Sequence, residues 1–125
     1  MVERPLLASA APAVGPYSAV TEANGFVFLS GQMGFDLSTG ELDLGDVATE
    51  TRHIVTNIAA MLAELGLSWA DAAKTTIFLV DMADFGAVNE IYGAAVGSSK
   101  PARSTVQVAA LPLGAKVEIE VVAAR

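Results

Sequence analysis

Apolar and polar positions change rhythm several times along the chain. Phe26-Val27-Phe28-Leu29-Ser30 is a short apolar run, bounded by Asn24-Gly25 on one side and Gly31-Gln32-Met33-Gly34 on the other. Such a run reads as a strand, and an Asn-Gly pair predicts a tight hairpin to a preceding strand over Ser18–Glu22. A further edge strand is expected near Pro5–Ala8. The stretch Asp36–Asp46 is rich in Gly, Asp and Ser/Thr and predicts a loop. The period then becomes helical: Val47, Ile54, Ile58, Met61, Leu62 and Leu65 recur at three- and four-residue steps. A helix over Val47–Leu65 follows, capped by Asp46, with Glu50 near its start and Gly66 as its stop. Ser68 and Asp71 have capping-box spacing for a short turn at Trp69. Lys74–Val80 predicts a strand. Asp84 is placed to cap a second helix through about Val96, with Phe85, Val88, Ile91 and Tyr92 on its apolar side.

The last third carries two alternating runs, Pro101–Val108 and Lys116–Val122, around Leu111-Pro112-Leu113-Gly114. The pattern predicts a hairpin. Within it Arg103, Thr105 and Gln107 share one face, while Val117, Ile119 and Val121 lie opposite Glu118 and Glu120. A turn near Leu113 would put Arg103 and Glu118 about 16 Å apart along the sheet, too far for one small ligand. Either the two do not form a site, or a site joins two copies of the chain; the second option is the working expectation.

Strands, helix, strand, helix and two strands make a two-layer α+β domain spanning residues 1–125, with two helices on one sheet face. The other face is expected to be solvated or covered by another subunit, and Arg103, Thr105, Glu118 and Glu120 are its candidate residues. Composition agrees with a covered face. The chain is 53% hydrophobic, much of it Ala and Val, yet no apolar run reaches 18 residues. A membrane span is not expected. The Pro-broken N-terminus does not read as a signal peptide, so a cytoplasmic location is expected.

Charge narrows the chemistry. A net charge of −7 with no basic stripe argues against nucleic-acid binding. With no Cys and a single His, His53, there is no thiolate nucleophile and no His-rich metal site. Gly31 and Gly34 lack the spacing and the Lys of a phosphate loop. Only seven side chains are Lys or Arg, so an Arg and two Glu in predicted central strands call for pairing or a ligand.

An ordered set of short pieces resembles the RidA/YjgF family of reactive intermediate deaminases. These are Gly15-Pro16-Tyr17-Ser18, Ser30-Gly31-Gln32, Lys74-Thr75-Thr76, Asp84-Phe85 with Val88-Asn89 and Tyr92, Pro101-Ala102-Arg103-Ser104, Leu111-Pro112, and Val117-Glu118-Ile119-Glu120. The resemblance implies a chorismate-mutase-like fold, with a six-stranded mixed sheet backed by two helices, and a homotrimer with a site in each cleft between subunits. It implies hydrolysis of 2-iminocarboxylates such as 2-iminobutanoate and 2-iminopropanoate, with their enamine tautomers, to 2-oxo acids and ammonia, without a cofactor or a metal. Carried over residue by residue, Arg103 would grip the substrate carboxylate and Glu118 would orient or activate the attacking water. The Ser30-Gly31 carbonyls would accept from the substrate nitrogen, the Thr105 N–H would help hold the carboxylate, and Tyr17 would close the pocket wall. Two departures stand out: Thr105 sits where many relatives carry Cys, and Ala110 where a basic residue is common. The connection before Pro101, which borders the cleft, is short.

Each residue also has a plainer reading. Arg103 and Glu118 could form an interface ion pair, Tyr17 could be a packed aromatic, and Ser30-Gly31 a strand-end turn. Asn89 is assigned no chemistry, and Glu120 reads as structural or solvated. The alternative function is a small-carboxylate-binding regulatory or scaffold protein on the same fold, which would need Arg103 but not Glu118.

Overall fold

A computed structural model describes residues 1–125. β1 (Val20–Ala23) and β2 (Phe26–Gln32) form the expected hairpin. Asn24 and Gly25 turn it with φ of 53° and 80°, the left-handed pair that a two-residue turn of this hand requires. Two short strands, β3 (Phe35–Asp36) and β4 (Glu41–Leu42), pair within the stretch expected to be loop. Helix α1 (Val47–Glu64) begins where Asp46 accepts a 2.7 Å hydrogen bond from the Thr49 N–H. It ends at Gly66, whose φ is 75°. Ser68 and Asp71 form their capping box. β5 (Ala72–Leu79) follows, then α2 (Phe85–Val96), β6 (Ala102–Gln107) and β7 (Val117–Ala124). Asp84 stands at the head of α2 but makes no side-chain cap. Asp81 caps instead, accepting from the Ala83 N–H at 2.9 Å in the 3-10 turn that leads into the helix.

The main sheet has five strands in the order β1-β2-β7-β5-β6. No strand forms at Pro5–Ala8, where a sixth was expected; the N-terminal segment contributes a single bridge, Glu3 to Glu22. Pro5, without an N–H, cannot extend that ladder. β5 and β6 run parallel and all other pairs antiparallel, so the sheet is mixed. The expected C-terminal hairpin does not form, because β5 lies between β6 and β7. The physical reason is the intervening helix. A strand, a helix and a strand close as a parallel crossover unit, which places β6 on the outer side of β5. β7 alternates buried Val117, Ile119, Val121 and Ala123 with partly exposed Glu118, Glu120, Val122 and Ala124, and fills the central slot between β2 and β5.

Both helices cover the same sheet face. Ile54, Ile58, Met61 and Leu62 from α1 and Val88, Tyr92 and Val96 from α2 pack on Val27, Leu29, Ile77, Leu79 and the inward side of β7. The opposite sheet face is bare and partly apolar, with Phe26, Phe28 and Val106 each more than 40% exposed. Beneath α1, Glu50 is fully buried; its carboxylate accepts from the Lys116 N–H at 2.9 Å and from Lys116 Nζ at 3.2 Å. This anchors the segment that enters β7. No helix is long and apolar enough to cross a membrane.

Candidate functional site

The register sets the geometry. Along β5, Thr75 pairs with Arg103 of β6 and Phe78 pairs with Glu118 of β7. Paired residues share a face, and positions three apart on a strand face opposite ways. Thr75 is fully buried against α2, so Arg103 lies on the helix side and Glu118 on the bare side. This corrects the sequence expectation, which put Arg103 and Thr105 on the bare face; Glu118 and Glu120 are there as expected. Three residues along the sheet and two strand spacings across separate the two Cα atoms by roughly 14 Å. One chain therefore cannot bring Arg103 and Glu118 to one small ligand.

The Glu118 half is a cavity of about 240 Å³ that also takes in Tyr17, Ser30, Gly31 and Pro112. The structure thus brings together four of the six sequence-predicted site residues. Their placement follows from a break in the sheet: the β2–β7 register shifts between Leu29 and Gln32, so Ser30 and Gly31 have no register partner on β7. Bulges of this kind re-aim backbone and side chains at strand ends. Ser30 is pinned, its hydroxyl donating to the Ser18 carbonyl at 2.7 Å and its carbonyl accepting from Gln32 Nε2 at 2.9 Å. The Ser30 carbonyl retains a second lone pair for a ligand. Tyr17 is about half exposed, and its hydroxyl accepts from the Val14 N–H at 3.3 Å. Gly31 has a strict steric role: a Cβ there would lie 2.6 Å from Glu118 Cδ. Burial, and then the neighbouring Glu120 carboxylate, push the Glu118 carboxyl above its ordinary range.

The Arg103 half is built on α2. The guanidinium carbon lies 5.3 Å from the Tyr92 ring centre and 5.5 Å from that of Phe85. Arg103 Nη1 donates to Asn89 Oδ1 at 2.6 Å, and no carboxylate of the chain pairs with it. Tyr92 is itself fixed by a 2.6 Å hydrogen bond with buried Thr75. The fork is therefore held by two π faces and a neutral oxygen, with its positive charge unspent. Sequence reasoning missed Asn89. The signal was the spacing of Phe85, Asn89 and Tyr92, which lie at i, i+4 and i+7 on one face of α2. Thr105 sits two residues beyond Arg103 on the same face, half-buried, with Oγ1 out of solvent and without a hydrogen-bond partner.

His53 is on α1, away from both halves, and its Nε2 meets Asp43 Oδ2 at 3.0 Å. No group of three or more His, Asp or Glu side chains is disposed to hold a metal ion.

Comparison with known proteins places these features in context. The family model for Endoribonuclease L-PSP, the RidA/YjgF family, matches residues 8–125. A RutC family protein of Pyrococcus horikoshii is 44% identical over 110 residues, covering 88% of this chain and 87% of that one. A 2-iminobutanoate/2-iminopropanoate deaminase of Mus musculus is 44% identical over 111 residues, covering 89% and 82%. Among solved structures, E. coli TdcF with bound serine superposes with a TM-score of 0.89 at 37% identity, covering 98% and 99% of the two chains.

Proposed function

Since the chain belongs to the RidA/YjgF family, we propose that it hydrolyses 2-imino and 2-enamine carboxylates to 2-oxo acids and ammonia. The sites would lie in clefts shared by the copies of a homotrimer. The observation that carries this reading is the split site. A guanidinium with no anionic partner lies on one side of the sheet, and a half-buried carboxylate in a small cavity lies on the other. Each half lacks what the other has. A neighbour docked on the bare face would cover Phe26, Phe28 and Val106 and could bring its Arg103 to the Glu118 cavity.

The reaction then divides between the halves. Arg103 grips the substrate carboxylate bidentately, aided by the Thr105 N–H. The imine carbon is thereby presented to a water beside Glu118. As the water oxygen bonds to that carbon, Glu118 takes its proton and passes it to the nitrogen. The hydroxyl of this carbinolamine then gives up its own proton, which Glu118 relays to the nitrogen as the C–N bond breaks; ammonia leaves and the carbonyl of the 2-oxo acid forms. The Ser30-Gly31 backbone accepts from the substrate nitrogen, and Tyr17 walls the pocket. An imine is already electrophilic, so positioning and electrostatics suffice without a cofactor.

A second reading is favoured by the serine bound in E. coli TdcF: a small-carboxylate sensor or scaffold using Arg103 alone. The discriminating experiment follows the decay of freshly generated 2-iminobutanoate and 2-iminopropanoate with purified protein and with Arg103→Ala. Acceleration lost in the variant supports the enzyme. Absence of acceleration by well-folded protein that still binds small 2-oxo acids supports the sensor.

A further inference from the structure

A cavity of about 330 Å³ opens between α2 and the start of β6, directly beside the Arg103 grip. That volume is ample for a small organic acid. Asn89, Tyr92, Val96, Lys100 and Arg103 contribute to its lining. Two of the seven basic side chains of an otherwise acidic protein thus meet in one small space. No Asp or Glu lines it, and no ion pair within the chain ties up either cation.

Lys100 is also held in an unfavourable backbone state. Its φ is 39°, in the left-handed region that L-residues avoid. It directly precedes Pro101, where an extended conformation is strongly preferred. Ordinary surface lysines do not require such a conformation, and backbone outliers of this kind cluster at ligand clamps. The conformation follows the short Gly97-Ser98-Ser99 connection and sets Lys100 at the cavity three residues before Arg103. The two Cα atoms are therefore no more than about 10 Å apart. Two flexible cationic side chains on such a base can close on the two ends of a short dianion.

We propose that this cavity is a second anion subsite continuous with the carboxylate grip, and that the protein prefers 2-imino dicarboxylates, the imines of four- and five-carbon acidic amino acids. Arg103 holds the carboxylate next to the imine, and Lys100 holds the distal one. The proposal rests on the imine-hydrolysis reading. It adds no new step: water adds to C2, the C2–N bond breaks, ammonia leaves, and a 2-oxo dicarboxylate is released.

The test compares 2-iminosuccinate with 2-iminobutanoate, each generated in place by an amino-acid oxidase, using wild type, Lys100→Met and Lys100→Arg. The measured quantity is the ratio of kcat/KM for the dicarboxylic imine to that for the monocarboxylic one. Wild type should favour the dicarboxylic imine. Lys100→Met should lower the ratio about tenfold, through KM, the worth of one charge-assisted contact in a partly screened cleft. Lys100→Arg should restore most of it. A ratio unmoved by Lys100→Met, or a wild type that favours 2-iminobutanoate, overturns the subsite. Calorimetric binding of 2-oxoglutarate and 2-oxobutanoate separates this from failure of the parent reading. If neither imine is accelerated, hydrolysis is what fails. Tighter 2-oxoglutarate binding, lost in Lys100→Met, then still supports the subsite, and equal binding of the two acids overturns it.

Discussion

Gly31→Ala offers a sharp separation between stability and function. The added methyl would lie 2.6 Å from Glu118 Cδ and 2.9 Å from both Cγ and Oε2. None of these distances is tolerable, so something must move. The crowded atoms are the far end of a flexible side chain, and the φ of Gly31 is not in the left-handed region. Glu118 should therefore swing to another rotamer while the backbone stays in place. Rotamer strain of this kind costs about 0.5–1.5 kcal/mol. The functional cost is larger, since misplacing a reacting group by about 1 Å can lose about 100-fold in rate. The expected outcome is a denaturant-unfolding free energy within about 1.5 kcal/mol of wild type and a kcat for imine hydrolysis reduced about 100-fold or more. Combining Gly31→Ala with Glu118→Gln should add little to either single loss, because both remove the same positioned carboxylate. A folded Gly31→Ala protein with near-normal turnover would show that the Glu118 carboxylate does not need this position. A stability loss well above 3 kcal/mol would show that the backbone, not Glu118, had yielded.

Three further outcomes are expected. Asn89→Asp places a carboxylate against Arg103, which should compete with substrate and raise KM about tenfold; steady-state kinetics at fixed ionic strength measure this. Lys116→Met leaves the buried Glu50 carboxylate with only a backbone donor, and should cost about 2–3 kcal/mol in a denaturant melt. That is less than a fully buried pair would lose, because the Lys116 side chain is 42% exposed. Glu118→Gln tests the sign of the Glu118 perturbation. Its carboxyl is raised from 4.5 in the folded state, first by burial and then by Glu120, so the fold holds that proton more tightly than the unfolded chain does. The resulting stability is fully present below about pH 4.5 and is lost as pH rises through the folded value. Glu118→Gln should therefore raise Tm relative to wild type at pH 7 and confer less advantage at pH 4. An advantage that grows on acidification would contradict the assignment.

Much of the fold is legible in the sequence, because its signals are local. Asp46, Asn24-Gly25, Gly66 and the Ser68–Asp71 capping box fix element ends through hydrogen bonds a few residues long. The helical stripe of Ile54, Ile58, Met61 and Leu62 names the core without further help. The pairing of the last strands was not legible in the same way. Alternation states that residues 101–108 and 116–122 are strands but not which neighbour each takes. The adjacent-hairpin expectation loses to the parallel crossover through α2. That error moved Arg103 to the wrong face, although the distance problem it raised stands on the true register as well. Tyr17, Ser30, Gly31 and Glu118, named from the sequence, line one cavity. The cradle of Phe85, Asn89 and Tyr92 around Arg103 was not legible, because it depends on a helix and an edge strand meeting in space. Glu50 reads in sequence as a charge near the start of α1. Only the fold shows it fully buried beneath the entry to β7.

The most direct test of the split site mixes two inactive proteins. Arg103→Ala removes the proposed carboxylate grip and Glu118→Ala the proposed water-positioning carboxylate, so each alone should leave 2-iminobutanoate to decay at its spontaneous rate. In assemblies co-refolded from equal amounts of the two, random assortment gives roughly a quarter of the clefts an intact Arg103 from one copy and an intact Glu118 from another. About that fraction of wild-type activity should be recovered. No recovery in assemblies shown by mass to contain both variants would contradict a site built between copies of the chain.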